Sequence, residues 1–397
     1  MKMSNIHGAM TLPRSQGNPL GGWAAKVAAG SAAIAAIAAV AVKSAKSAKS
    51  AGKPDPAKPM PLPPPLGGAE IHFIDVAGVQ VALHVAKPPL MRHAMTPLLL
   101  VHSVNATASA VEMRALFDAM SHDRPVVAIE LPGFGHSERC DIAYSPALMA
   151  RAVAAAVRWV GDHLTPAAPD VVALSLGCEF ATLAVLNHGA KVRSLTLISP
   201  TGAERRRQGE AWQGGRTRCL PAWRRLLRHG AFGRALFGLL TSRLSMRWFL
   251  SRTWGSRRFD PLLLAHGRLS AHAKGAQHAP LDFVAGELFS RGIVERYAEL
   301  QVPVWLAHGH QGAFTDFGAL DPIVARHGSR WQRTCFDAGA MPQAQCPADF
   351  AAALHDFLSC LPPQCPPPQA ARRWVWDPQP GRPSRSANQA ALLGQAV

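Results

Sequence analysis

The stretch VVALSLGCEF at residues 171–180 constrains the fold of this chain more than any other. An apolar run ends in a small-x-Ser-x-Gly step, and helix-forming residues follow directly. This order is typical of a buried strand, a sharp turn and a helix, with Ser175 strained and its hydroxyl exposed. Ala173 and Gly177 are small, so the strand and helix backbones can pass closely on either side of the serine. The alternative is an ordinary helix with Ser175 as its N-cap.

Short apolar runs alternate with helical patterns along the body of the chain. A hairpin is predicted at 71–85, buried strands at 97–102, 125–130, 194–198, 302–308 and 331–336, and helices at about 106–121, 146–164 and 347–358. This alternation predicts an α/β fold with a mainly parallel central sheet and helices on both faces. Ligands of such sheets bind at the carboxyl ends of the strands, where His102, Ser175 and His308 all lie.

A long insertion at about residues 201–299 interrupts the alternation. It is too long for a loop and contains the basic, apolar stretches WRRLLR, LFGLL and WFL, which start at Trp223, Leu236 and Trp248. One interpretation is a helical cap that buries its apolar face and leaves its arginines in water. The other is a lid that shapes an apolar acyl pocket or lies on an anionic membrane.

The two ends of the chain differ from its body. Residues 1–19 are polar and without pattern, and residues 20–42 are Ala-rich with one charge, Lys26. The second segment is long enough to cross a bilayer, although alanine contributes little to insertion. It predicts a membrane anchor, an uncleaved signal-like segment or an Ala-rich helix lying on another surface. Residues 43–66 form a Lys- and Pro-rich linker, residues 67–361 the folded body, and residues 362–397 a disordered basic tail.

The charge distribution and the cysteine content narrow the classes of function that this protein can have. The formal net charge of +17 is uneven, since residues 204–260 carry 14 arginines against 3 acidic residues and residues 1–66 carry 8 basic residues against 1. Basic segments on a near-neutral body favour contact with an anionic surface or ligand over a nucleic-acid-binding core. The seven cysteines lack metal-binding spacing, which indicates free thiols in a reducing compartment. We expect no metal and no cofactor, and a body in the cytoplasm, on the inner face of the inner membrane if anchored.

Three motifs at successive strand ends give the chain a resemblance to the α/β-hydrolase superfamily across roughly residues 67–361. They are His102-Ser103, the LPGFGHS run at 131–137 and the Ser175 turn. The chain looks closest to bacterial members with His-Ser-x-Asn-Ala, here residues 102–106. The resemblance implies Ser175 as nucleophile and the N–H groups of Val104 and Leu176 as the oxyanion hole beside His102. It also implies a helical cap at 201–299.

The rest of the implied catalytic triad departs from the family pattern. The acid normally follows the 302–308 strand, where the sequence HGHQGAFTD at 308–316 offers Asp316 as the nearest carboxylate. The base is normally a histidine within 338–343, which reads AGAMPQ. A serine without a positioned base is a poor nucleophile. His310 is the preferred substitute base, ahead of His136 and His355; Glu204 is a further candidate acid, and Cys178 reads as a small buried apolar residue.

Two functional hypotheses follow. The first is a serine hydrolase of carboxylic esters or lipid-like acyl substrates with an atypical triad, acting at a membrane in one version. The second is a degenerate relative that keeps the pocket and serves as a binding or scaffold protein. The expected partners are a small acyl or ester ligand and an anionic lipid surface, and nucleic acid is disfavoured because no recognisable nucleic-acid module is present.

Overall fold

A computed structural model of the protein describes residues 62–88 and 96–362. In this part of the chain eight strands form one sheet in the order β1-β2-β4-β3-β5-β6-β7-β8. The β1–β2 and β2–β4 pairs are antiparallel, and every other pair is parallel, which confirms the predicted α/β fold. The strands are β1 (Glu70–Val76), β2 (Val79–Ala86), β3 (Leu98–Val101), β4 (Val126–Ile129), β5 (Asp170–Leu174), β6 (Ser194–Ile198), β7 (Val304–Gly309) and β8 (Trp331–Phe336).

Helices cover both faces of the sheet because its central strands are apolar on both sides. On β3, Leu99 and Val101 join one core, and Leu98 and Leu100 join a second core on the opposite face. The helices of the described residues are α1 (Arg114–Met120), α2 (Pro146–His163), α3 (Leu176–His188), α4 (Pro221–Arg228), α5 (Gly230–Leu240), α6 (Arg243–Trp254), α7 (Pro261–Ala271), α8 (His278–Val284), α9 (Ile293–Ala298), α10 (Asp321–Arg326), α11 (Pro342–Gln345) and α12 (Pro347–Ser359).

One predicted helix starts later than the sequence indicates. The pattern predicted a helix from about residue 106, but α1 begins at Arg114 after a 3₁₀ turn at Ala110–Met113. The Thr107 N–H bonds the Asn105 side chain at 2.8 Å, which turns the backbone before the helix can begin. Because the helix starts late, the residues between Val101 and Ala110 form a loop instead of helical turns.

The chain between β6 and β7 contains six helices, α4 to α9. They have a small apolar core of their own, built around Leu227, Leu236, Phe237 and Leu281. We call residues 201–299 the cap. No helix of the described residues is both long and apolar enough to cross a membrane.

The packed domain begins before Gly67, where the sequence analysis placed its start. Leu66, in the predicted linker, is fully buried. The carbonyl oxygens of Leu62 and Pro63 lie 2.9 and 3.3 Å from the Nε2 atoms of His136 and His266. The end of the predicted linker is therefore part of the fold. The segments predicted at 1–19 and 20–42, the linker up to residue 61 and the tail from 363 lie outside the described residues.

Candidate active site

Ser175 occupies a strained turn between β5 and α3. Its backbone has φ 55° and ψ −119°, a region that residues with a side chain rarely adopt. The turn is secured by a 2.8 Å hydrogen bond from the Ser175 N–H to the carbonyl of Ile198 on β6. The predicted strand, sharp turn and helix are therefore present. Among the described residues, no group hydrogen-bonds the Ser175 hydroxyl, which leaves it available to a ligand.

Gly177 lets the helix after the turn approach the loop that follows β3. A Cβ atom at this position would lie 2.5 Å from the carbonyl oxygen of His102, so only glycine fits. Cys178, one residue on, is fully buried and donates its thiol to the carbonyl of Ala173, and burial raises its pKa well above the ordinary value. It is a packed core residue, as expected.

The predicted oxyanion donors lie on these two adjoining segments. Leu176 is the first residue of α3, and Val104 follows the His102 carbonyl that Gly177 approaches. Within the part of the chain that the structure describes, neither N–H has an acceptor. Unpaired N–H groups at a helix start and a neighbouring loop are suited to binding a negatively charged oxygen.

Glu112 holds the loop after β3, and the sequence analysis missed it. One carboxylate oxygen accepts the Ser103 N–H at 2.9 Å, and the other accepts the Asn105 side-chain amide at 2.7 Å. Glu112 is almost fully buried, so both bonds are shielded from water. The carboxylate thereby fixes the backbone on both sides of Val104. The motif His-Ser-x-Asn-Ala contained the signal, because a half-buried asparagine in a loop favours a hydrogen-bond partner.

His102 has a structural role in this geometry. Its Nε2 accepts the Leu131 N–H at 3.0 Å, and its Nδ1 lies 2.5 Å from the carbonyl of Ser103. The first contact requires an unprotonated Nε2, so the ring proton is on Nδ1 and points to that carbonyl. Burial lowers the pKa of His102, which favours the same neutral form. Both ring nitrogens are thus used by the backbone.

Glu179, on the first turns of α3, links the turn to the cap. One oxygen accepts the Thr201 hydroxyl at 2.6 Å, and the other accepts the Ser290 N–H at 2.9 Å. Burial raises the pKa of Glu179 to about 7, although these hydrogen bonds partly oppose the shift. The carboxyl group therefore changes charge near neutral pH while buried on the helix that directly follows Ser175.

The residues predicted to complete the triad do not come together. Asp316 accepts the Arg205 N–H at 3.0 Å and the Gly318 N–H at 3.2 Å, and it is exposed. His310 is mostly exposed, with Nδ1 3.0 Å from the carbonyl of Phe336 and Nε2 3.3 Å from Asp337. In the described residues no hydrogen bond or ion pair joins Ser175, Asp316 and His310.

The other candidates also have different partners. His136 contacts Glu130, and Glu204 lies 3.8 to 3.9 Å from arginine side chains of the same segment. His355 is exposed on α12 instead of being fixed by helix packing, as the sequence analysis assumed. The loop after β8 contains Ala340 and Met341, both buried. No histidine occurs in this loop.

The end of helix α6 packs against both loops that would carry the acid and the base. The Ala313 N–H, after β7, bonds the carbonyl of Arg252, and the Ala340 N–H, after β8, bonds that of Thr253 at 2.8 Å. The Gln345 amide bonds the carbonyl of Trp254 at 2.9 Å. The carbonyls that accept these bonds are at the end of the helix, where they have no hydrogen-bond partner within the helix. The cap is thereby fastened to the sheet at these loops.

The fold and the Ser175 turn agree with the comparisons to known proteins. A family model described as the alpha/beta hydrolase fold matches residues 96–284. The chain has the α/β-hydrolase fold. The matched range includes Ser175, Val104 and Glu112 but ends before β7 and β8. The loops that depart from the family pattern therefore lie outside it.

Solved structures with the same fold include several hydrolases. A serine hydrolase involved in carbazole degradation aligns with TM-score 0.55 and 16% identity, over 73% of this chain and 99% of that one. A Cif epoxide hydrolase from Acinetobacter nosocomialis aligns with TM-score 0.57 and 16% identity, over 74% and 90%. A membrane phospholipase A described as a bacterial virulence factor aligns with TM-score 0.53 and 19% identity, over 74% and 86%. A comparison with curated proteins finds no match.

Proposed function

We propose that this α/β hydrolase binds carboxylic-ester or lipid-like acyl substrates at Ser175 and hydrolyses them slowly. The observation that carries the proposal is the strained turn at Ser175, whose hydroxyl has no hydrogen-bond partner among residues 62–88 and 96–362. Strained backbone of this kind is concentrated at functional sites. The oxyanion donors proposed at Val104 and Leu176 would stabilise the tetrahedral intermediate when the hydroxyl attacks the acyl carbon.

The proposed chemistry is slow because, in the described part of the chain, no side chain is positioned to accept the serine proton. Attack forms the Ser175–acyl bond and expels the alcohol, and water then releases the acid. Removing the base from a complete triad costs about 10⁶ in turnover, whereas oxyanion stabilisation and binding alone retain a rate ~10³ to 10⁴ above that in water. We therefore expect turnover far below the ~10 per second of a typical enzyme.

Labelling with a fluorophosphonate probe tests the role of Ser175. The parent protein should label slowly and hydrolyse p-nitrophenyl esters weakly, and Ser175→Ala should lose both activities. Equal rates in the parent and Ser175→Ala would contradict the proposal. A parent turnover near ~10 per second would show that a base is delivered to Ser175 from elsewhere.

Replacement of two histidines tests the proposed substitute base. His310→Ala changes the histidine that follows β7, and His355→Ala changes an exposed histidine on α12 as a matched control. Loss of the residual rate only in His310→Ala would assign the base to His310, with Asp316→Asn then testing the acid. Unchanged rates in both variants would assign proton removal to water.

A second candidate function is acyl binding without turnover. It is favoured by the bonds from Ala313 and Ala340 to helix α6, because they hold the cap on the loops where a triad would be completed. Under this alternative Ser175→Ala still binds a fluorescent fatty acid as tightly as the parent, and the parent shows no hydrolysis above Ser175→Ala.

The cap supplies the features for contact with an anionic lipid surface. A cleft of about 810 Å³ is lined by arginines from α4 and its neighbouring loops. Exposed apolar side chains occur directly before helix α4 and on helices α4, α5 and α6: Leu220, Leu226, Phe232, Leu244 and Trp248. Arg216 and Arg225 form no ion pair among the described residues, so their charge is open to phosphate groups. Basic residues around exposed apolar side chains favour binding at a lipid interface.

Vesicle flotation tests the lipid contact. A form lacking residues 1–61 should float with vesicles containing phosphatidylglycerol and remain unbound to phosphatidylcholine vesicles. Arg216→Ser with Arg225→Ser should weaken flotation, whereas Arg151→Ser with Arg158→Ser, on exposed positions of α2, should not. Equal flotation of the two double variants would contradict a specific role of the cleft.

A further inference from the structure

A buried cluster of two histidines and one glutamate lies between β2 and the loop after β4. His84 is on β2, Glu130 directly follows β4, and His136 is in the loop that begins there. His84 and Glu130 are fully buried, and 17% of the His136 side chain is exposed. The candidate chemistry of Ser175 uses none of these groups.

The three side chains converge on one point. The Glu130 Oε2 atom lies 3.1 Å from His84 Nε2 and 3.0 Å from His136 Nδ1. All three atoms lie within 4.8 Å of one another. Two histidines and one carboxylate are a known ligand set for zinc. Ligands of a tetrahedral zinc ion with bonds of about 2.0 to 2.2 Å lie roughly 3.4 Å apart, so small movements of these side chains would seat the ion.

The buried ring of His84 has no well-directed hydrogen bond to any of the described residues. Its Nε2 is close to the Glu130 carboxylate but badly directed for a hydrogen bond, and its Nδ1 has no partner. A fully buried imidazole without a hydrogen bond is costly. A metal ion bound by Nε2 would offset that cost.

The surrounding groups orient the other two side chains as they do in metal sites. The His136 Nε2 atom faces the carbonyl of Leu62 at 2.9 Å, which directs Nδ1 toward the carboxylate. Glu130 Oε1 accepts the Ala110 N–H at 3.2 Å, and Oε2 accepts the His136 N–H. Hydrogen bonds of this kind from backbone groups fix ligand orientation in metal sites.

The loop after β4 leaves room for the Glu130 carboxylate. A Cβ atom on Gly135 would lie 1.9 Å from the carboxylate, so glycine is needed there to admit it. Arg139, His102 and His266 are the other charged or titratable groups near this cluster.

We propose that His84, Glu130 and His136 bind one zinc ion, with water as the fourth ligand on the exposed side of His136. The ion would tie β2 to the end of β4 and to the loop of residues 131–137, which packs against His102. The hydrogen-bonded cluster without metal is the competing state.

Metal analysis of the full-length protein tests the proposal. The protein is purified without a polyhistidine tag, loaded with zinc, dialysed against metal-free buffer and measured by mass spectrometry. We expect close to one zinc per chain, with at least a tenfold loss in His84→Asn and in Glu130→Gln. His72→Asn is the matched control, because His72 also lies beside a carboxylate, 3.3 Å from Glu70, but on the surface. It should retain the zinc.

Two further measurements keep the test decisive if the buried variants fail to fold. Zinc should raise the melting temperature of the parent, and cobalt should give tetrahedral visible absorption without a thiolate charge-transfer band. Parent protein that holds no zinc after loading and shows no melting shift would overturn the proposal. Zinc retained equally by folded His84→Asn, or a cobalt spectrum with thiolate bands, would place the metal on cysteines elsewhere and would also overturn it.

Discussion

Two buried carboxyl groups hold the segments around Ser175, and their environments give them different chemistry. Glu112 accepts two hydrogen bonds from the loop after β3. Glu179 also accepts two, but burial raises its pKa to about 7. Glu112 therefore acts as a fixed support for Val104. Glu179 makes the contact between α3 and the cap dependent on pH.

Replacing Glu112 should loosen the loop that carries Val104. In Glu112→Gln one side-chain oxygen remains, so either the Ser103 N–H or the Asn105 amide faces an amide donor and loses its bond. A buried donor without a partner costs about 1 to 3 kcal/mol, and we expect this loss in the free energy of unfolding. Urea denaturation measures it, with Glu138→Gln as a control because Glu138 accepts the Gln80 N–H at an exposed position. Equal stability of both variants would contradict a support role.

Glu179 should make stability fall as the pH rises toward neutrality. Its pKa is higher in the folded chain than in the unfolded chain, so the folded state holds the extra proton between about pH 4.5 and 7. The contribution of the protonated carboxyl is complete below this range and is lost by pH 7. Each unit of pKa difference corresponds to about 1.4 kcal/mol, so the effect is on the order of 3 kcal/mol.

Glu179→Gln measures this effect because the amide mimics the protonated carboxyl. Its oxygen can accept the Ser290 N–H and its NH₂ can donate to Thr201. Relative to the parent, the variant should gain stability between pH 5 and 7 and remain at a constant difference above pH 7.5. Urea unfolding at a series of pH values measures both free energies. A difference that does not vary with pH would contradict the raised pKa.

At the scale of elements, close backbone contacts position the turn and the cap. Helix α3 approaches the His102 carbonyl through Gly177, and the end of α6 lies against Gly339, where a Cβ would be 2.3 Å from the Thr253 carbonyl. Backbone cannot move aside as a flexible side chain can. Both contacts therefore depend on glycine.

Substitution of Gly177 should disturb the Ser175 turn. Gly177→Ala places a methyl group against the His102 carbonyl, and overpacking of this kind costs about 1 to 3 kcal/mol. We expect slower fluorophosphonate labelling of Ser175 together with lower stability. Gly161→Ala is the control, since Gly161 lies in helix α2 with no atom near the added Cβ and alanine favours helices. Similar losses in both variants would show that the close approach at Gly177 is unimportant.

At the scale of the whole molecule, positive charge is concentrated outside the sheet. The arginines of residues 204–260 belong to the cap, and the lysines of the first 66 residues largely follow the Ala-rich segment 20–42. A sheet domain with basic appendages is suited to a site close to an anionic surface.

Removal of the first 61 residues should release the protein from the membrane fraction. The deletion removes the Ala-rich segment and keeps Leu62, Pro63 and Leu66, which pack on the domain. We expect the full chain to sediment with membranes in high salt and the shortened chain to stay in the supernatant. Deletion through residue 66 should in addition lower stability by roughly 1.5 to 3 kcal/mol, because a fully buried leucine is lost. Equal partition of the full and shortened chains would exclude an anchor at 20–42.

Local patterns in the sequence were sufficient to predict the sheet and the turn at Ser175. The strands predicted at 194–198 and 331–336 match β6 and β8 residue for residue. β6 is buried on both faces and therefore admits few polar residues, whereas β8 is an edge strand whose middle residues are exposed or half-buried. The small residues around Ser175 predicted its turn because they are needed at the contact itself. The late start of α1 was missed because the Asn105 side chain, not helix propensity, fixes the backbone there.

The sequence by itself thus determined the fold class and the strand–turn–helix at Ser175. Both depend on the spacing of apolar residues and on side-chain size over a few neighbouring positions. Only the tertiary structure decided which distant groups meet. It joined Glu112 to the loop at Val104, gave His310 and Asp316 partners other than Ser175, and brought His84, Glu130 and His136 together. Such pairings depend on strand order and on the direction of each side chain. Neither is encoded in the spacing of residues along one segment.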